Sequence, residues 1–198
     1  MLAVGLTGSI AVGKSFVCEV FREQGFPVLD ADKTAREVVA KGTAGLAAIV
    51  AEFGNDILTS NGEMDRKKVG AIVFTDEHKR QRLNAIIHPL VIEAQDAWIE
   101  NQRSDVAIID AALMIESGGY KRFDKLIVVW CESDIQLRRL MARDGFDEAE
   151  AKRRIATQMP QDEKKGFADY LINTSRGFDD TRDQIEALSN VLRELASN

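Results

Sequence analysis

GLTGSIAVGKS, running from Gly5 to Ser15, constrains what this chain can fold into more than any other stretch. Gly8, four residues, then Gly13, Lys14 and Ser15 reproduce the pattern G-x-x-x-x-G-K-[ST]. In that pattern glycines let backbone N–H groups turn inward on phosphate oxygens, and the helix that follows adds positive potential at its N-terminus. The lysine reaches the outer phosphates and the hydroxyl can ligate a divalent ion. The arrangement works only between a strand and a helix, and both flanks are present. LAVGL (Leu2 to Leu6) reads as a short buried strand, and KSFVCEVFREQG sets Phe16, Val17, Val20 and Phe21 at helical spacing before Gly25 stops it.

The remaining chain extends this into an α/β architecture. FPVLDAD gives a second short strand ending at Asp30 and Asp32, followed by helical KTAREVVAKG and TAGLAAIVAEFG. From about Asp30 to Gln102 no strongly β-rich run occurs. DRKKVGAIVF and DEHKRQRLNAII read as helices, and Pro89 suits the first turn of another, which predicts a helical insertion. The continuous apolar runs Val106 to Ile109 and Leu126 to Val129 then restore the strand pattern, in the style of parallel strands covered on both faces. SDIQLRRLMARDG and DEAEAKRRIATQM are short charged helices, YLINTS a last strand, and DDTRDQIEALSNVLRELA an amphipathic terminal helix.

Composition narrows the partners. With 198 residues the chain can bury a sizeable core, and no apolar run approaches the ~18 residues of a membrane span. The start carries no basic region before its apolar residues, so a cleaved leader is not expected and a cytoplasmic location is. Cys18 and Cys131 form no C-x-x-C and no metal-spaced cluster with His78 or His88, which makes them packing thiols. A net charge of −6 argues against nucleic acid as the partner, because a phosphate backbone demands a basic footprint.

Four further features carry chemistry, each beside a plainer meaning. Asp30 and Asp32 fall at the carboxyl edge of the second strand, where open α/β sheets bind ligands; one of them can serve as a helix cap, which leaves the other to orient a hydroxyl and take its proton. Asp110 follows the apolar strand VAII, where an acid can hold Mg²⁺; a surface-loop aspartate is the alternative. Arg138, Arg139, Arg143, Arg153 and Arg154 cluster on helices in an acidic protein, as a solvated face or as a lid whose guanidinium groups close on transferring phosphoryl charge. His88 precedes Pro89, which biases it to a boundary between two helices and to a packing or capping role.

Read together, these stretches resemble the dephospho-coenzyme A kinase family over nearly the whole chain. GLTGSIAVGKS is similar to that family's GLTGGIGSGKS, DADKTAR to D-A-D-x-x-A-R, IIHPLV to I-H-P-x-V and DAALMIE to D-x-P-L-L-F-E. QLRRLMARD, RRIATQ and ADYLIN follow in family order, resembling Q-x-x-R-x-x-x-R, R-I-x-x-Q and A-D-x-x-I-D/N. The resemblance implies a P-loop parallel sheet flanked by helices, with a helical substrate-binding insertion and a small helical lid. It implies transfer of the ATP γ-phosphoryl group to the ribose 3′-hydroxyl of dephospho-CoA with Mg²⁺. By position Asp32 would be the base. Gly8, Ser9, Ile10, Ala11, Val12, Gly13, Lys14, Ser15 and Phe16 would bind ATP, with Lys14 also catalytic, and Ser15 and Asp110 would hold the metal. Arg139 and Arg143 would be lid arginines, while Arg66, His88, Asp32 and Asp110 would contact the coenzyme. The core would comprise residues 1–31, 103–132 and 168–198, the insertion about 32–102 and the lid about 133–167. Dephospho-CoA and ATP are the expected partners, with neither nucleic acid nor membrane. A kinase of nucleoside-monophosphate type and a non-catalytic nucleotide-binding module are the competing readings.

Three departures bear on the site. Ser9, Ala11 and Val12 stand where the family loop has glycine, glycine and serine, which stiffens the loop while keeping its pattern positions. Ala112 and Ile115 replace a proline and a phenylalanine beyond Asp110, and Asn173 to Gly177 differs from the family's I-D-N-S-G turn.

Overall fold

In the computed structural model, which describes residues 1–197, the apolar runs become neighbouring parallel strands. β1 (Leu2–Gly8) pairs on one side with β3 (Val106–Asp110), Leu6 opposite Asp110, and on the other with β4 (Lys125–Trp130), Gly8 opposite Val129. β2 (Val28–Asp30) lies outside β3 and β5 (Tyr170–Asn173) outside β4, so the order is β2-β3-β1-β4-β5 with every pair parallel. Parallel strands are buried on both faces and need no alternation. Ile108 and Ile109 are accordingly both fully buried although they are adjacent in sequence, as is Ile127 on β4.

The chain divides into two compact units, Met1–Asp30 with the stretch from Gln102 on, and Ala31–Asn101. In the first, α1 (Lys14–Glu23) buries Val17, Cys18, Val20 and Phe21. These residues join Val4, Leu6, Ile108, Ile127 and Ile172 of the sheet in one apolar core.

The second unit is helical: α2 (Ala31–Glu37), α3 (Ala44–Phe53), α4 (Arg66–Thr75) and α5 (Glu77–Glu100). Its starts are set by side-chain caps. Thr43 accepts from the Leu46 N–H, Asp65 from Lys67 and Lys68, and Asp76 from Lys79, at 3.1–3.2 Å. Val39, Ile49, Ile57 and Val69 form its own core. One expectation fails here. His88 and Pro89 mark no boundary, because α5 runs through Pro89 as a single helix. An interior proline loses one backbone hydrogen bond and crowds the preceding turn. Packing of α2, α3 and α4 along α5 outweighs that cost.

Back in the first unit, α6 (Ser133–Asp144), α7 (Glu148–Ala156) and a one-turn α8 (Gln161–Lys165) follow β4. α9 (Phe178–Ser197) closes the chain, burying Ile185, Leu188 and Leu192 in the same core as α1. Among the described residues no helix is long and apolar enough to cross a membrane.

Candidate active site

The site begins where β1 runs out. A Cβ on Gly8 would come within 2.6 Å of the Val129 carbonyl oxygen and 2.9 Å of Val12 Cγ2, so only glycine lets the chain turn against β4. Gly13, with φ 91°, turns it again and is the N-cap of α1, which has no side-chain cap. The positive end of the helix is therefore left to whatever occupies the loop. Ala11 adopts φ 61°, a left-handed conformation that costs a non-glycine residue about 1–2 kcal/mol. It does so at a position where the family loop carries glycine.

The loop residues Gly8 through Ser15 line a cavity of about 700 Å³, together with Ala112 and with Arg139 and Arg143 of α6 and Gln158 just beyond α7. That volume suits a nucleotide. Lys14 forms an ion pair with Asp110, the last residue of β3, whose carboxylate is almost wholly buried. The pair holds the lysine over the sheet edge. Beneath it, burial and the Asp110 carboxylate push the Cys18 thiol up to about 12, so it remains a neutral packing group.

Arg139 is the more firmly placed arginine. Its two terminal nitrogens donate to the Thr174 hydroxyl at 2.9 Å and the Thr174 carbonyl at 2.8 Å, and the same hydroxyl donates to the Val12 carbonyl at 2.6 Å. Thr174 thus joins the arginine, the loop and the end of β5. Arg143 lies one turn further along α6, exposed, with a two-pronged contact to Asp144 that raises its basicity further. The rest of the arginine cluster separates from these two. Arg138 pairs with Asp134, and Arg153 and Arg154 pair with Glu150, all as exposed helix-surface contacts.

Loop, Asp110, Arg139 and Arg143 are thus brought together in one unit. Phe16 is not in the cavity lining; its ring packs on Phe178 at 4.7 Å between centroids. Asp30 closes β2 opposite Asp110, whereas Asp32 falls in the first turn of α2. Asp32, Arg66 at the start of α4 and His88 within α5 belong to the second unit, and all three are exposed. Among the described residues no three His, Cys, Asp or Glu side chains form a metal-binding group. Mg²⁺ keeps several of its waters and takes one or two protein oxygens. The oxygens of Ser15 and Asp110 are donors of that kind.

Three contributors had weak sequence signals or none. Thr174 lies in the turn that departs from the family. Gln158 is only the closing letter of RRIATQ. Lys164 sits in the charged run QDEKK, and its side chain is 1% exposed. Its ammonium pairs with Glu116 at 2.8 Å and donates to the Ala112 carbonyl at 3.2 Å, an oxygen that also accepts from the Thr7 hydroxyl at 3.3 Å.

A parallel sheet of order 2-3-1-4-5, a phosphate loop between its first strand and first helix, and arginines from a later helix on the same cavity define a P-loop kinase. Within that class the profile of the Dephospho-CoA kinase family matches residues 2–180, and the chain belongs to that family. The dephospho-CoA kinase of Geobacillus kaustophilus is 47% identical over 190 residues, 94% of each chain. A solved structure from Thermus thermophilus superposes with a TM-score of 0.84 at 27% identity, over 98% of this chain and 97% of its own. The dephospho-CoA kinase from Campylobacter jejuni gives 0.69 at 28% identity over 97% of each.

Proposed function

We propose that the chain transfers the γ-phosphoryl group of ATP to the ribose 3′-hydroxyl of dephospho-CoA, giving CoA and ADP. The observation that carries this, beside family membership, is the single cavity on which the phosphate loop, Lys14 and two arginines converge. Phosphoryl transfer offers a protein little covalent chemistry, so positioning and charge stabilisation do most of the work.

The loop N–H groups grip the phosphates from Gly8 to Ser15. Lys14, held over the sheet edge by Asp110, exchanges that carboxylate for phosphate oxygens when nucleotide enters. Asp32 accepts the proton of the 3′-hydroxyl as its oxygen bonds to phosphorus and the bond to the β-phosphate oxygen breaks. Lys14, Arg139 and Arg143 meet the charge that spreads over the phosphoryl and leaving oxygens. The Ser15 hydroxyl and the Asp110 carboxylate would hold Mg²⁺, which neutralises charge on the phosphates. Residues 133–167 act as the lid, and residues 32–102 hold the coenzyme through Arg66 and His88, with Asp110 contributing from the core. We place the reaction in the cytoplasm, in keeping with two free, buried cysteines.

An ATP-dependent phosphorylation assay with dephospho-CoA beside AMP and shikimate tests the assignment. Dephospho-CoA should be preferred by a wide margin. Equal turnover of AMP would return the chain to the nucleoside-monophosphate kinases.

A further inference from the structure

Two motif residues have no part in the chemistry above. Gln136 opens Q-L-R-R and Gln158 closes R-I-A-T-Q, and both reach the same residue of the phosphate loop. Gln136, 2% exposed on α6, donates from Nε2 to the Ile10 carbonyl at 2.8 Å. Gln158 accepts the Ile10 N–H on Oε1, also at 2.8 Å. Both main-chain groups of Ile10 are therefore taken by side chains distant in sequence, one from α6 and one from the segment just beyond α7. The far end of Gln136 is fixed as well. Its Oε1 accepts from Gln161 at 2.7 Å, and Gln161 in turn accepts from the Cys131 N–H at 3.1 Å, just past β4. Gln161 and Gln136 each have donor and acceptor ends assigned by their neighbours, so this chain of contacts runs in one direction from the sheet to the loop.

The spacing along α6 gives this chain of contacts a consequence. Gln136, Arg139 and Arg143 stand at positions i, i+3 and i+7, which share one face of a helix. A helix whose Gln136 is bonded to Ile10 holds its two arginines at a set height beside the loop. Charge stabilisation depends on groups already in place, and a shift of about 1 Å costs on the order of 10²-fold in rate.

We infer that Gln136 and Gln158 are positioning residues. Together they clamp Ile10, so that the arm of the loop and the arginine-bearing helix move as one body and present Arg139 and Arg143 in register with the bound phosphates. The inference rests on reading the cavity as the ATP site. Gln161 secures the buried member of the clamp, and Gln158, at the cavity wall, secures the other side.

Gln136→Met and Gln158→Met keep length and lose the amide. Each should lower kcat by about 10- to 100-fold, with KM for ATP and for dephospho-CoA within about threefold of the parent. Because the two act on one residue, the double variant should be no slower than the worse single. A parent-like kcat in either single variant overturns the inference, as does a double variant whose loss is the product of the two. Should Gln136→Met fail to fold, Gln158→Met, which is partly exposed, decides by the same kcat criterion. Lys14→Ala is assayed alongside. If it retains full turnover, the ATP-site reading fails. If it is inactive while the glutamine variants are unimpaired, the clamp alone is wrong.

Discussion

Lys14 and Asp110 show how one contact can serve two states. Without nucleotide their ion pair satisfies a nearly buried carboxylate and keeps the ammonium at the mouth of the loop. In the proposed reaction both groups turn to the phosphates and their metal. Lys14→Ala should therefore reduce kcat/KM by about 10²- to 10³-fold, the scale of losing one preorganised charge contact, and weaken ATP binding as well. Steady-state kinetics with calorimetric ATP titration measures both. Asp32→Asn removes the carboxylate proposed as proton acceptor while keeping the side chain's size. Turnover should fall by about 10²- to 10⁴-fold with ATP affinity within a few-fold of the parent. Asp30→Asn should mainly cost about 1 kcal/mol of stability, as a group next to a helix start. Loss of turnover in Asp30→Asn with Asp32→Asn intact would reverse the choice of base. Thr174→Val deletes the hydroxyl that bridges Arg139 and Val12. A roughly tenfold drop in kcat is expected, restored by Thr174→Ser, since one hydroxyl contact of this kind is worth about 1 kcal/mol.

At the scale of elements, α8 is one turn long and holds a nearly fully buried lysine. Lys164 ties that turn to the segment after β3 through Glu116 and Ala112. Removing one partner of a buried pair leaves the other charge stranded, although Glu116, 23% exposed, can recover some hydration. Lys164→Met should thus cost about 2 kcal/mol, less than a fully sealed pair, and lower the thermal midpoint by several degrees. Adding Glu116→Gln should recover part of the loss in calorimetry. This contact also marks where the sequence stops being readable. The strands, α1, α6, α7 and α9 follow from local periodicity and stop signals, the loop and Asp110 from spacing along short stretches, and the choice of Arg139 and Arg143 within the arginine cluster from the family resemblance. Lys164, Thr174 and Gln158 act across separations of 35 to 162 residues, for which no local pattern exists. Pro89 misled for the opposite reason. Its local preference for a helix start is real, but α2, α3 and α4 pack along one continuous α5.

For the whole molecule, the two compact units imply a division of labour that kinetics can separate. The cavity residues belong to the first unit, and Arg66 and His88, proposed to hold the coenzyme, belong to the second. Dephospho-CoA carries a pyrophosphate, and on a chain of net charge −6 its anionic groups need local cations to offset the overall repulsion. Arg66, exposed at the first position of α4, is such a cation. A charge-assisted hydrogen bond contributes about 1.5–3 kcal/mol. Arg66→Ala should therefore raise KM for dephospho-CoA by at least about tenfold, leave KM for ATP within about twofold, and soften the salt dependence of coenzyme binding. Arg143→Ala should do the reverse, lowering kcat with little change in KM for dephospho-CoA, because its charge is needed when the phosphoryl group moves. Kinetic matrices for the two variants at low and high salt would carry the comparison. If both variants raised the two KM values in parallel, the division between units would be wrong, and a single shared anion site would have to replace it.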